Sequence, residues 1–129
     1  MKKLLYLFLI VLCLCGCQNQ SDVIKTQYFQ VQVPISWNEL YEYEVYTVDN
    51  NVYSLIFYDK ASHQTDFGGH VVTLSVYYLE DEYDFLPSYE YLGVITNNDK
   101  YYVIISEFPT DVQFDVSTQD SYMKLASSY

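Results

Sequence analysis

The sequence predicts an α+β domain with about six mainly antiparallel strands in a sheet and a short C-terminal helix. Three features predict it. From Tyr28 onward, several runs alternate apolar and polar residues. Two turn signals, Asp49-Asn50-Asn51 and Asn97-Asn98-Asp99, each lie between two such runs. Helical spacing is confined to the segment after Pro109. Alternation puts successive side chains on opposite faces of a strand, whereas a helical face repeats every ~3.6 residues.

The elements follow in order. Phe29, Val31 and Val33 alternate with Gln30 and Gln32 until Pro34 stops the run, the pattern of a half-buried strand. Tyr41 to Val48 carries Glu42 and Glu44 on one face, and Val52 to Tyr58 returns as its hairpin partner. Lys60 to His70 reads as a polar loop ending in Gly68-Gly69. Val71 to Leu79 has few polar residues and reads as a central strand. Glu80 to Asp84 is an acidic loop, and Leu86-Pro87-Ser88 breaks the chain again. Tyr89 to Thr96 and Lys100 to Glu107 form a second hairpin, and Pro109 ends the sheet. Asp115 or Ser117 is placed to cap a helix with Tyr122, Met123 and Ala126 on one side.

Ahead of the domain stands a different kind of segment. Lys2 and Lys3 precede an apolar run from Leu4 to Leu14. A membrane-spanning helix needs ~20 apolar residues, so this run fits a secretory signal instead. Its end, Leu14-Cys15-Gly16-Cys17, resembles the lipobox of bacterial lipoproteins. The resemblance implies cleavage between Gly16 and Cys17 and a diacylglyceryl group on the Cys17 thiol. Residues 1–16 are then a lipoprotein signal peptide, 17–27 a lipid-anchored tether, and 28–129 a single domain on the outer face of the bacterial cytoplasmic membrane. All three cysteines, Cys13, Cys15 and Cys17, lie in the leader or at its end, so no disulfide holds the domain.

Charge narrows the partners. The chain has 17 acidic residues against six lysines and no arginine, a net charge of −11. From Cys17 onward four lysines face all 17 acids, giving −13. Nucleic acids and anionic headgroups need a basic footprint, so neither is an expected partner of the domain. The expected partners are the membrane, through the Cys17 lipid anchor, and an extracytoplasmic protein or cell-wall component.

The candidate chemistry is sparse. Glu80, Asp81, Glu82 and Asp84 crowd hard oxygen ligands suited to Ca²⁺, yet their spacing is not that of an EF-hand. His63 and His70, with Asp66 between them, supply too few ligands at short spacing for zinc. There is no nucleophile elbow, no phosphate-cradling glycine loop and no thiol beyond Cys17. No cofactor is expected, and no catalytic residue is assigned. Fifteen of the 16 tyrosines lie beyond the leader. Tyrosine suits strands, and it also supplies broad contact area with a polar tip at recognition surfaces. Tyr46, Tyr58 and Tyr78 are the candidate exposed set. Asp111, in Pro109-Thr110-Asp111-Val112-Gln113, reads as a turn residue and a candidate ligand contact. The expected function is non-catalytic recognition of a protein, peptide or wall glycan. Cation binding by the acidic loop and an enzyme acting on the cell wall are the alternatives.

Several segments together resemble a known pattern: Phe29 to Pro34 followed by Trp37, Phe67-Gly68-Gly69, Leu86-Pro87-Ser88-Tyr89 with Leu92-Gly93, and Phe108 to Phe114. They are similar to a family of small exported lipoprotein-type domains of low-GC Gram-positive bacteria, over most of Tyr28 to Met123. Relatives carry an aliphatic or aromatic pair after Gly-Gly, where this chain has His70 and Val71. The opening strand, proline and tryptophan are more remotely similar to the PsbP-like fold. The resemblance implies an antiparallel sheet with flanking helices and supplies no catalytic residues.

Overall fold

The computed structural model describes residues 20–47, 52–81 and 87–128. Gly16 and Cys17, the turn 49–51, and Glu82 and Asp84 of the acidic loop lie outside the described residues. The fold is α+β and mainly antiparallel, with seven strands in two sheets and a short C-terminal helix among the described residues.

A small sheet pairs β1 (Val23–Lys25) with β2 (Gln30–Gln32). Strand β1 corrects the expectation that the chain up to Gln27 is only tether. Thr26 builds the turn between the two strands. Its Oγ1 accepts from the amides of Tyr28 and Phe29 at 3.1 and 2.9 Å and donates to the Phe29 carbonyl at 2.8 Å. A 3₁₀ turn at Ile35–Trp37 follows Pro34 and buries Trp37.

The main sheet has the order β3-β4-β5-β7-β6: β3 (Tyr41–Tyr46), β4 (Tyr53–Asp59), β5 (His70–Tyr78), β7 (Lys100–Glu107) and β6 (Tyr89–Asn97). All its pairings are antiparallel, and β5 is central, as expected. Asn98 and Asp99 turn the second hairpin with φ of +50° and +61°. Positive φ at both central residues matches the twist of the flanking strands.

Between β4 and β5 the expected polar loop is in part a helical turn, α1 (Lys60–His63). Asp59 caps it, accepting from the Ser62 amide at 2.9 Å. The closing helix α2 (Gln119–Ala126) corrects the expected apolar face. Tyr122 and Leu125 are buried, whereas Met123 is exposed. Asp115 caps the turn leading into the helix. Its Oδ1 accepts from the amides of Ser117 and Thr118 and from the Ser117 hydroxyl, which holds its carboxyl below the usual range.

Strand register sorts the faces of the main sheet. Tyr53, Leu55 and Phe57 share one face with Val72, Leu74, Val76 and Tyr78. Leu55, Phe57 and Val72 are buried in a cluster with Val33, Trp37, Tyr122 and Leu125, so β2, the 3₁₀ turn and α2 pack on this side. The opposite face holds a smaller cluster of Tyr77, Val103 and Ile105, against which Tyr89 packs.

Candidate functional site

Among the described residues, four places hold side chains with chemistry to offer. The first lies where α1, the start of β5 and the segment after β7 meet. Gly68 and Gly69 turn the chain at φ +84° and +67°. Gly69 donates to the Gln113 carbonyl at 3.0 Å, and its own carbonyl accepts from the Asp59 amide at 2.8 Å. The Gln113 side chain accepts from the His70 amide at 3.1 Å and donates to Asp111 Oδ1 at 2.7 Å. The Phe67-Gly68-Gly69 and Pro109 to Gln113 segments therefore meet and lock each other. Asp111 is exposed, and its carboxylate serves this turn.

Beside that lock, His70 Nε2 and Thr73 Oγ1 are 2.8 Å apart. Burial lowers the His70 pKa, and the nearby Asp111 charge opposes the shift. A depressed histidine pKa means that the unfolded chain binds more protons than the native one below its ordinary value of ~6.5. His70 therefore contributes stability above that pH, which is lost on acidification. We expect the difference in melting temperature between the wild type and His70→Gln to fall from pH 7.5 to pH 5, with the wild type losing more. A pH-independent difference would contradict this.

Next to His70 lies Tyr58, which the register places on the face opposite Tyr78. Its ring stacks on His63 with centroids 3.9 Å apart and planes 3° from parallel, and its ring centroid is 6.3 Å from that of His70. Burial, with Glu44 and Glu42 adding to it, raises the Tyr58 pKa. His63 Nδ1 pairs with Glu42 Oε1. The ring of Tyr58 is thus occupied, and it is half-buried rather than exposed.

A third group runs across the sheet. Ser54 Oγ and Ser75 Oγ are 3.1 Å apart, and the Ser75 hydroxyl donates to Glu107 Oε2. Ser75 is fully buried, so its hydroxyl is out of reach of a substrate.

The fourth place is an open cleft at the tip of the β6–β7 hairpin. Tyr78, Leu79, Glu80, Asp99, Lys100 and Tyr101 line about 430 Å³. The Leu79 amide donates to the Tyr101 carbonyl at 3.2 Å, which joins the end of β5 to the hairpin. Lys100 Nζ lies 5.6 Å from the centre of the Tyr78 ring, a cation–π distance. Tyr78 is half-buried, packed at 5.3 Å on Tyr102, which lies 5.3 Å from Tyr28. Tyr101 is 58% exposed. The register sends the Tyr78 and Tyr101 side chains to opposite faces of the sheet, so the cleft at its end offers a ligand one ring from each face, with two carboxylates and one ammonium as hydrogen-bonding groups. Exposed apolar side chains continue from the cleft along the hairpin. Val94 pairs with Val103, one step along that face from Tyr101, and Tyr91 and Leu92 follow.

The candidate tyrosines therefore do not form one patch. Tyr78 enters the cleft. Tyr46 is exposed at the end of β3, four register positions from the pairing of Glu42 with Tyr58. Glu80 lines the cleft, and the Asp81 amide donates to the Tyr78 carbonyl in a turn. Among the described residues no group of three or more His, Cys, Asp or Glu is placed to hold a metal ion. Among the same residues no helix is long and apolar enough to cross a membrane. The exposed Tyr91 and Tyr101 escaped the sequence reading because period two sorts a strand into faces without saying which face is covered. Comparison with protein-family models, with curated proteins and with solved structures finds no match.

Proposed function

We propose that the chain is a lipid-anchored bacterial lipoprotein whose domain recognises a partner without catalysis, using the hairpin cleft of Tyr78 and Tyr101. The observation that carries this reading is the cleft itself, since it joins exposed aromatic surface to unlike charges in one concavity. Binding sites of this size combine apolar walls with a few polar groups that set orientation. Catalysis draws less support, because the Ser75 hydroxyl beside Glu107 is fully buried and His63 is already bound to Glu42. The anchor rests on the leader: a basic start, a short apolar run and Leu14-Cys15-Gly16-Cys17.

Both halves are testable. For recognition, Tyr101→Ala should leave the melting temperature within about 3 °C of wild type, because surface changes cost within ~0.5 kcal/mol. The same change should lower affinity for a ligand found by thermal-shift screening of wall saccharides and peptides by roughly tenfold or more. Binding that survives both Tyr101→Ala and Lys100→Ala would place the site elsewhere. For the anchor, mass spectrometry of membrane extracts should find an N-terminal peptide beginning at acylated Cys17, and Cys17→Ala should stay unprocessed. An unmodified Cys17 in the wild type would overturn that half.

A further inference from the structure

Strand β6 is nine residues long and lies at the edge of the main sheet, with no strand on its outer side among the described residues. An edge strand presents every second backbone N–H and C=O outward, and proteins commonly guard such an edge with charge. The other edge, β3, has Glu42 and Glu44 within six residues. Strand β6 has a single charge, Glu90, and exposes Tyr91, Leu92 and Val94. At Leu92–Gly93 the register shifts by a bulge, and a Cβ added to Gly93 would meet nothing within 4 Å. The space beside Gly93 is open, and from Gly93 to Asn97 the strand keeps regular register with β7.

Charge selects the occupant. Glu90 stands near one end of the strand, and Glu80 and Asp99 stand in the cleft beyond the other. Asn97 lies seven residue rises along the strand from Glu90, about 23 Å. A second copy, with four lysines against 17 acids from Cys17 onward, would bring a charge of −13 to the same edge and be repelled. We propose that β6 takes up an extended peptide segment of a partner protein, apolar in its middle and basic at both ends, by strand addition. The main chain of the peptide pairs along Gly93 to Asn97. Its apolar side chains lie against Val94, Tyr91 and Tyr101. One basic end reaches Glu90, and the other reaches the cleft carboxylates. This inference rests on the recognition reading above and names its partner class.

The test uses the full-length protein purified from membranes in detergent. The probes are the peptide KVTVTVTVK, its acidic counterpart EVTVTVTVE, and chitobiose as a saccharide. Binding is read by fluorescence anisotropy of labelled peptide and by thermal shift. The basic peptide should bind at least tenfold more tightly than the acidic one and weaken with added salt. Val94→Lys and Leu92→Lys should each reduce that binding at least tenfold with an unchanged melting temperature, and Val45→Lys on the β3 edge should not. Equal binding of the two peptides, or loss with Val45→Lys alone, would overturn the strand-addition inference. Chitobiose binding that Tyr101→Ala removes, without peptide binding, would overturn this inference and leave the recognition reading standing. No binding by any probe would overturn the inference, and protection of Tyr101 from oxidation in intact membranes would then judge recognition separately.

Discussion

Gly69→Ala is expected to destabilise the domain by about 3–5 kcal/mol, the largest effect of a Cβ added at any described glycine. A Cβ at this position would lie 2.5 Å from the His63 amide nitrogen, 2.8 Å from the Asp59 carbonyl oxygen and 2.9 Å from the Ser62 carbonyl carbon. All three are backbone atoms of α1 and its cap, so no side chain can swing aside to make room. The φ of +67° adds a cost of its own for a residue with a Cβ. With a total stability of ~5–15 kcal/mol for a domain of this kind, the melting temperature should fall by at least ~12 °C. Gly68 supplies the control. Its φ is +84°, but the nearest atom to an added Cβ is Gln113 Oε1 at 3.5 Å, an ordinary contact. Gly68→Ala should therefore carry mainly the backbone cost, ~1–2 kcal/mol. Equal losses in urea denaturation of the two variants would contradict the close approach at Gly69.

Asp59→Ala is expected to cost about the same, ~3–5 kcal/mol, for a different reason. Asp59 is fully buried at the end of β4. Its Oδ2 accepts from the amide and the hydroxyl of Ser62, and its Oδ1 accepts from the hydroxyl of Ser121 at 2.5 Å. Ser62 Oγ in turn lies 2.9 Å from Thr118 Oγ1. One carboxylate thus fastens α1 and α2 to the sheet. Removing it leaves buried donors without an acceptor, which costs more than the bonds themselves contribute. Asp59→Asn keeps one acceptor oxygen and should lose about half as much. A loss below ~1 kcal/mol for Asp59→Ala would show that the helices are held by the apolar contacts of Tyr122 and Leu125 alone.

Much of the sheet was legible in the sequence because its signals are local. Asn97-Asn98-Asp99 fixes a turn between two alternating runs, and the hairpin follows within a residue of the expected bounds. The few polar residues of Val71 to Leu79 mark a strand with neighbours on both sides, as β5 has. What was missed depends on contacts distant in sequence. Three residues, Val23–Lys25, carry too little pattern to declare a strand, and β1 exists because Thr26 closes the turn onto β2. The helical turn at Lys60–His63 is too short for a period, and it is made by the Asp59 cap together with Ser121 from the far end of the chain. Leu125 rather than Met123 joins Tyr122 in the core, since positions 122 and 125 lie on one face of a helix that begins at Gln119.

The candidate site was legible in part for the same reason. The sequence identified tyrosine as the residue of interest and named Tyr78, and Glu80 entered as a metal ligand rather than as a cleft wall. Tyr101 becomes prominent only when β7 pairs with β5 and brings Leu79 onto its carbonyl. Tyr46 and Tyr58 satisfy the same compositional rule, yet the ring of Tyr58 is taken by His63.

Oxidative footprinting of tyrosines tests recognition at the hairpin most directly, because the native ligand need not be identified first. Intact membranes bearing the protein would be compared with the protein purified in detergent. Tyr91 and Tyr101 should be protected in membranes, while Tyr43 and Tyr46, also exposed but on the far edge, should each be modified at the same rate in both. Equal modification of all four, or protection confined to Tyr43 and Tyr46, would contradict a recognition surface on β6 and β7.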